Sequence, residues 1–268
     1  MLSAPWKTSA AARVGFTLVE LLVVVAIFAI LVTLLVPTLR EAWNQTRFTL
    51  CQHQLRQWGN AFSLYARDSG GYFPHIDGLD RDNGWPDNFG WVDVLPPLIC
   101  RTPWRDHPLN ERPAEGTFFQ CPAAQLAQGG AYKYNPRRDG FFSYAMNSCL
   151  ELDENCYAPE GGGDRLPSFL HTDLIEEPHR VVLLFDQLLD PAKGYGGATQ
   201  NRSAGKYCGA YPRDFAVRHR RAGADRGGSI LYCDYSVRWV RTVWKDDWPA
   251  GMNCPPRSDR DWFPYFGR

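Results

Sequence analysis

The chain is predicted to be an α+β protein. One long N-terminal helix crosses a membrane with its first half, and its second half packs on an antiparallel β-sheet domain with long loops. Three observations predict this. Residues 16–37, FTLVELLVVVAIFAILVTLLVP, form an almost unbroken apolar run. Beyond it Phe48, Cys51, Leu55, Trp58, Phe62 and Tyr65 recur every three or four residues, an apolar stripe on one helical face. From Gly71 onward that periodicity stops, and short apolar segments alternate with Gly- and Pro-rich turns.

Residues 1–15 contain Lys7 and Arg13 and no acid, which predicts a cytoplasmic N-terminus and an external domain after the span. About twenty apolar residues rising roughly 1.5 Å each cross a hydrocarbon core of about 30 Å. Glu20 lies inside that run, where an ionisable side chain is costly and has a partner or a task. Pro37 removes one helical hydrogen bond and permits a bend near the membrane exit. Gly70 and Gly71 follow Asp68-Ser69 as a stop signal, so a helix over 16–68 would be roughly 80 Å long. The chain therefore divides into 1–15, a span at 16–37, an extramembrane helical half at 38–70 and a β-rich domain at 71–268.

Strands are expected at Thr117–Cys121, Phe141–Met146, Arg180–Asp186, Ser229–Cys233 and Val237–Val243. The last two are joined by Asp234-Tyr235-Ser236, a connection short enough for a hairpin. Residues 72–115 and 187–214 read as long irregular loops.

The 268 residues carry 29 basic and 29 acidic side chains, a balance that gives no support for nucleic-acid binding. The eight cysteines, Cys51, Cys100, Cys121, Cys149, Cys156, Cys208, Cys233 and Cys254, all follow the apolar run. Their even number outside an anchor favours disulfides in an oxidising compartment, with pairing left open. Zinc is the rival reading, disfavoured because no C-x-x-C or H-E-x-x-H spacing occurs.

A general secretory signal is cut after its apolar stretch. Here the junction Gly15–Phe16 precedes it, so cleavage there keeps the apolar segment as an anchor. The G-F-T-L-V-E-L arrangement at 15–21 resembles the processing site of type IV prepilins and type II secretion pseudopilins. The resemblance implies a pilin-like fold and a leader at 1–15 removed by prepilin peptidase. It implies N-methylation at Phe16, an assembly role for Glu20 against the Phe16 amine of a neighbouring subunit, and a structural place for Pro37. The implied partners are other pilin or pseudopilin subunits, an inner-membrane assembly platform and membrane lipid. The implied location is a bacterial inner membrane with a periplasmic domain, in a pilus or pseudopilus. The remainder resembles a pseudopilin-like group, abundant in planctomycetes, that carries a C-terminal H-X9-DG region. CQHQLRQWGNAFSLYARDSGGYFP at 51–74, FQCPAA at 119–124, SYAMN at 143–147 and RVVLLFDQ at 180–187 carry that likeness. In this chain fourteen residues separate His219 from Asp234, and Tyr235 stands where the group has glycine.

His219 and Asp234 are expected to form a structural hydrogen bond tying a loop to the hairpin, rather than a catalytic or metal-binding pair. Asp77, Asp80, Asp82, Asn83 and Asp87 are oxygen-rich enough to suggest calcium, but position 91 is Trp where an EF-hand-type loop needs Glu, so a solvated loop is expected and no cofactor is assigned. The ten Trp residues are expected mainly as core, with the aromatic and charged stretch 244–266 as a partner-contact candidate. Gly194-Tyr195-Gly196-Gly197 reads as a turn, and no G-x-S-x-G elbow occurs. A non-enzymatic structural subunit is the expectation. The alternative is a membrane-anchored periplasmic binding module or hydrolase with a prepilin-type export segment, which would need an exposed aromatic cleft beside clustered carboxylates or histidines.

Overall fold

The computed structural model describes residues 17–74, 90–106, 118–124, 142–147, 150, 171–187, 208–209, 215–220, 226–241 and 261–262. Two compact units are present, Met1–Trp43 and Asn44–Arg268. Helix α1 (Leu18–Asp68) runs through Pro37 without interruption and is about 76 Å long at 1.5 Å per residue. It ends as its glycines predict. Gly70 takes a left-handed φ of 65°, and the Gly71 N–H reaches back to the Ala66 carbonyl at 2.7 Å, closing a Schellman-type cap.

Within the first unit every described residue is exposed, including Leu21, Ile27, Phe28, Leu31 and Leu35. This is the one helix among the described residues that is long and apolar enough to cross a membrane. The second unit holds the other half of α1, where Cys51, Leu55, Trp58 and Phe62 of the stripe are buried along with Ala61 and Ala66, while Phe48 and Tyr65 are half-buried. Trp58 meets Trp91 edge-on at 4.9 Å and Phe118 at 4.3 Å, so the stripe rests on an aromatic cluster supplied partly by the short helix α2 (Trp91–Val94).

The sheet contains β1 (Tyr144–Asn147), β2 (Val182–Asp186), β3 (Cys208–Gly209), β4 (His219–Arg220), β5 (Arg226–Tyr232) and β6 (Val237–Val240). Its order is β3-β1-β2-β5-β4, with β6 also paired to β5; all pairings are antiparallel except β1 with β3. Both faces are covered. Tyr144, Met146, Leu184 and Leu231 join the core under α1, whereas Ala145, Val182, Phe185 and Ile230 join a second core with Phe215 and Trp262. An irregularity between Val182 and Leu184 shifts the register of β2 against β5. As a result Leu183 and Leu184 both enter the core under α1 and the alternation resumes one residue late. The shift decides which way the end of β2 faces.

The expected hairpin is present: the Tyr232 N–H donates to the Ser236 carbonyl, and Tyr235 N–H to the Tyr232 carbonyl. Tyr235 sits at φ 62°, so the turn keeps a glycine-type backbone conformation with a bulky side chain in it. Residues 118–121 are a turn instead of the strand expected at Thr117–Cys121. Phe118, Phe119, Gln120 and Cys121 are all buried, and Phe118 and Phe119 pack on Trp58. Two short strands, β3 and β4, were not anticipated, because two-residue pairings leave no periodic signal. Trp262 is core: it meets Phe185 edge-on at 5.1 Å, and its carbonyl accepts from Asn147 Nδ2 at 2.9 Å. That part of 244–266 is therefore not a partner contact.

Replacing Trp58 by Ala should cost about 3–5 kcal/mol, because a fully enclosed aromatic leaves a large cavity. Asn147 Nδ2 also donates to the Val182 carbonyl at 2.8 Å, so Asn147→Ala should cost about 2–3 kcal/mol through two lost buried bonds. Chemical denaturation of the detergent-solubilised chain measures both; values near zero would contradict the packing described.

Candidate functional site

Two constellations stand out, one at the start of α1 and one beside its buried half. At the N-terminal end the Thr17 N–H donates to Glu20 Oε2 at 2.8 Å, and the Thr17 hydroxyl donates to the same oxygen at 2.7 Å. The Glu20 N–H in turn faces the Thr17 hydroxyl oxygen at 3.3 Å. This is a reciprocal capping box, Thr at the N-cap and Glu three residues on. It explains how a carboxylate is tolerated at the start of an apolar helix: it serves donors the helix leaves unpaired. Glu20 was singled out in the sequence and Thr17 was not, although the T-x-x-E spacing before an apolar run carries that signal.

The second constellation is buried. Cys51, Cys121, Asp186 and His219 converge so that one donor atom from each lies within 4.8 Å of the others. Cys51 comes from the part of α1 that lies in the second unit. Its Sγ lies 3.3 Å from the Tyr144 hydroxyl, which also donates to Gln54 Oε1 at 2.8 Å. Cys121 sits in the 118–124 turn, pinned to the start of β1 by its own N–H to Ser143 Oγ and by Ser143 N–H to the Phe119 carbonyl. Asp186 ends β2 opposite Tyr144, and the one-residue shift in β2 places it on the α1 side of the sheet. His219 opens β4; its Nε2 lies 3.1 Å from Cys121 Sγ and 3.7 Å from Asp186 Oδ2, and its ring packs on Phe48 at 5.4 Å.

Burial governs the electrostatics. It pushes the Asp186 carboxyl up to about 7, although Arg218 and the Cys121 thiol oppose the shift. It pushes the His219 imidazole down to about 4, with Arg218 adding to the effect. It raises the Cys121 thiol, helped by the adjacent Cys51 and by Asp186. Arg218 Nε lies 3.2 Å from Asp186 Oδ2, yet neither Asp186 oxygen has a hydrogen-bond partner of good geometry. A wholly enclosed carboxylate held mainly by one ion pair is costly.

The residues predicted as sites are placed as follows. Gly15 and Phe16 lie outside the described residues, as do the Asp77–Asp87 loop and Gly194-Tyr195-Gly196-Gly197. Pro37 lies within α1. The expected bond between His219 and Asp234 is replaced by other partners. Asp234 holds the hairpin turn through Ser236 N–H at 2.9 Å, the Ser236 hydroxyl at 2.6 Å and Arg238 at 3.2 Å, while His219 turns to Cys121 and Asp186. The short-range turn contacts leave Asp234 committed locally. Among the described residues Cys51, Cys100, Cys121 and Cys233 are free thiols; the side chains of the other four cysteines lie outside the description.

Residues 15–36 match the family model described as the prokaryotic N-terminal methylation motif. The match is of prepilin type and coincides with the start of the long apolar helix. It points to a membrane-anchored structural subunit rather than an enzyme, and to a substrate of a type IV pilin or pseudopilin system. No curated protein and no solved structure matches the chain.

Thr17→Val removes the hydroxyl from the capping box while keeping the side-chain shape. Hydrogen exchange in detergent micelles should then quicken at the amides of residues 18–21 and stay unchanged beyond Ile30. Unchanged exchange throughout would mean that the box does not hold the helix start.

Proposed function

We propose that the chain is a pilin or pseudopilin subunit, cut by a prepilin peptidase between Gly15 and Phe16, methylated on the new Phe16 amine, and built into a filament through the first half of α1. The observation that carries the reading is the start of that helix: a methylation motif over 15–36 laid on an all-round apolar segment whose one carboxylate, Glu20, occupies the first turn. An apolar helix whose described side chains are exposed all round gains nothing by leaving lipid except packing against similar helices, which is what a filament core provides.

Glu20 supplies the register. In the isolated subunit its carboxylate is satisfied by Thr17 of the same chain. During assembly a methylated amine from a neighbouring Phe16 brings a full positive charge into the same water-poor setting, where an ion pair has no competing solvent. The amine competes with the capping donors, and a subunit in the wrong axial position leaves the amine unpaired. The basic flank of Lys7 and Arg13 supports a cytoplasmic N-terminus, with the β-rich domain and its partners, the assembly platform and other subunits, reached from the periplasmic side.

N-terminal sequencing and intact mass of the protein recovered from membranes should give a chain beginning at methylated Phe16. A chain that keeps residues 1–15 would end this reading. Glu20→Leu should leave membrane insertion and cleavage intact and reduce incorporation into filaments at least tenfold by sheared-fraction blotting. Normal incorporation would show that the carboxylate sets no register.

A further inference from the structure

We propose that Cys51 Sγ, Cys121 Sγ, a carboxylate oxygen of Asp186 and His219 Nε2 form a closed tetrahedral site for a zinc-type divalent cation, which fastens the extramembrane half of α1 to the sheet. This stands apart from the assembly reading, since none of the four residues lies in the anchor.

The donor set is that of a zinc site: two thiols, an imidazole nitrogen and a carboxylate. Metal–ligand lengths of about 2.0–2.3 Å in a tetrahedron place donors roughly 3.3–3.8 Å apart. The separations of 3.1 Å from Cys121 to His219 and 3.7 Å from His219 to Asp186 fall close to that range, and all four donors fit within 4.8 Å. All four residues are buried, with side chains no more than a few per cent exposed, so no position is left open to solvent or substrate. A closed four-ligand set is the structural kind of site, not the catalytic kind.

Charge and hydrogen bonding agree. Metal binding releases the two thiol protons and any carboxyl proton to solvent, leaving three anionic ligands. The dication together with Arg218, 3.2 Å from the carboxylate, matches those three charges. Both Asp186 oxygens lack a hydrogen-bond partner, and a cation would serve the carboxylate directly. The Tyr144 hydroxyl at Cys51 and Arg218 at Asp186 then act as outer groups holding the ligands in place. A disulfide between Cys51 and Cys121 would use the two sulfurs and leave the imidazole and the buried carboxylate to each other and to Arg218. The cation accounts for all four groups.

The ligands come from α1, the turn before β1, the end of β2 and the start of β4. The site would therefore clip four separated segments of the second unit together.

The test uses the full chain purified from membranes in detergent without chelator. Elemental analysis should find one zinc per chain. Cobalt exchange should give thiolate-to-cobalt charge-transfer absorption in the near ultraviolet with tetrahedral d–d bands in the visible. Alkylation mapping should show Cys51 and Cys121 shielded until a chelator is added. Asp186→Asn and His219→Gln, which leave every thiol in place, should each lower bound zinc by more than half. If those variants fail to fold, the cobalt spectrum and the alkylation map of the unaltered chain decide. Three results overturn the proposal: a Cys51–Cys121 linkage in non-reduced peptide maps, shielding that maps to other cysteines, or thiols that stay free and bind neither zinc nor cobalt at stoichiometric metal.

Discussion

The covering of the sheet by one face of α1, from Cys51 to Ala66, is the contact on which the second unit depends. The described strands are short, two to seven residues, and a sheet of such strands does not hold itself together in water. Leu55, Trp58 and Phe62 supply the apolar area that holds it, each contributing about 1.5–3 kcal/mol on burial. Gly59 lets the helix come close: a Cβ there would lie 3.0 Å from Leu231 Cδ1 and 3.4 Å from the Tyr235 carbonyl oxygen. The hairpin turn, with its left-handed Tyr235, is therefore seated under the helix, and the tyrosine packs at the edge of the same core.

One covalent helix thus meets two solvents. Its first half is apolar on every face, which suits lipid or other helices and makes no sense in water. Its second half is apolar on one face, which suits a sheet. The polar groups in each half follow from that division. At the membrane end, Thr17 and Glu20 satisfy backbone donors that lipid cannot. In the second half, Cys51 opens the buried stripe and brings the helix to three polar groups from the sheet and its loops.

The placement of those polar groups depends on a local irregularity. Strict alternation from Val182 would have turned Asp186 toward the Phe215–Trp262 core. The register shift between Val182 and Leu184 turns it toward α1 instead. A one-residue shift in a strand exchanges its faces, so a buried acid can be aimed at a chosen partner without changing the strand's composition.

The amino-acid sequence by itself determined the long helix, its apolar anchor, its glycine stop, the β5–β6 hairpin and the prepilin-type start, because each rests on residues within a few positions of one another. It also held the Thr17–Glu20 box in plain spacing. It misled at Thr117–Cys121, where apolar content suggested a strand and residues 118–121 form a turn packed against Trp58. It misled again at His219, paired on paper with Asp234 across a loop. Only the tertiary structure brought together Cys51, Cys121, Asp186 and His219, residues too far apart for any ligand-spacing pattern to register. Local rules read neighbours along the chain; a site whose members come from a helix, a turn and two strands exists only after apolar burial has packed those elements together.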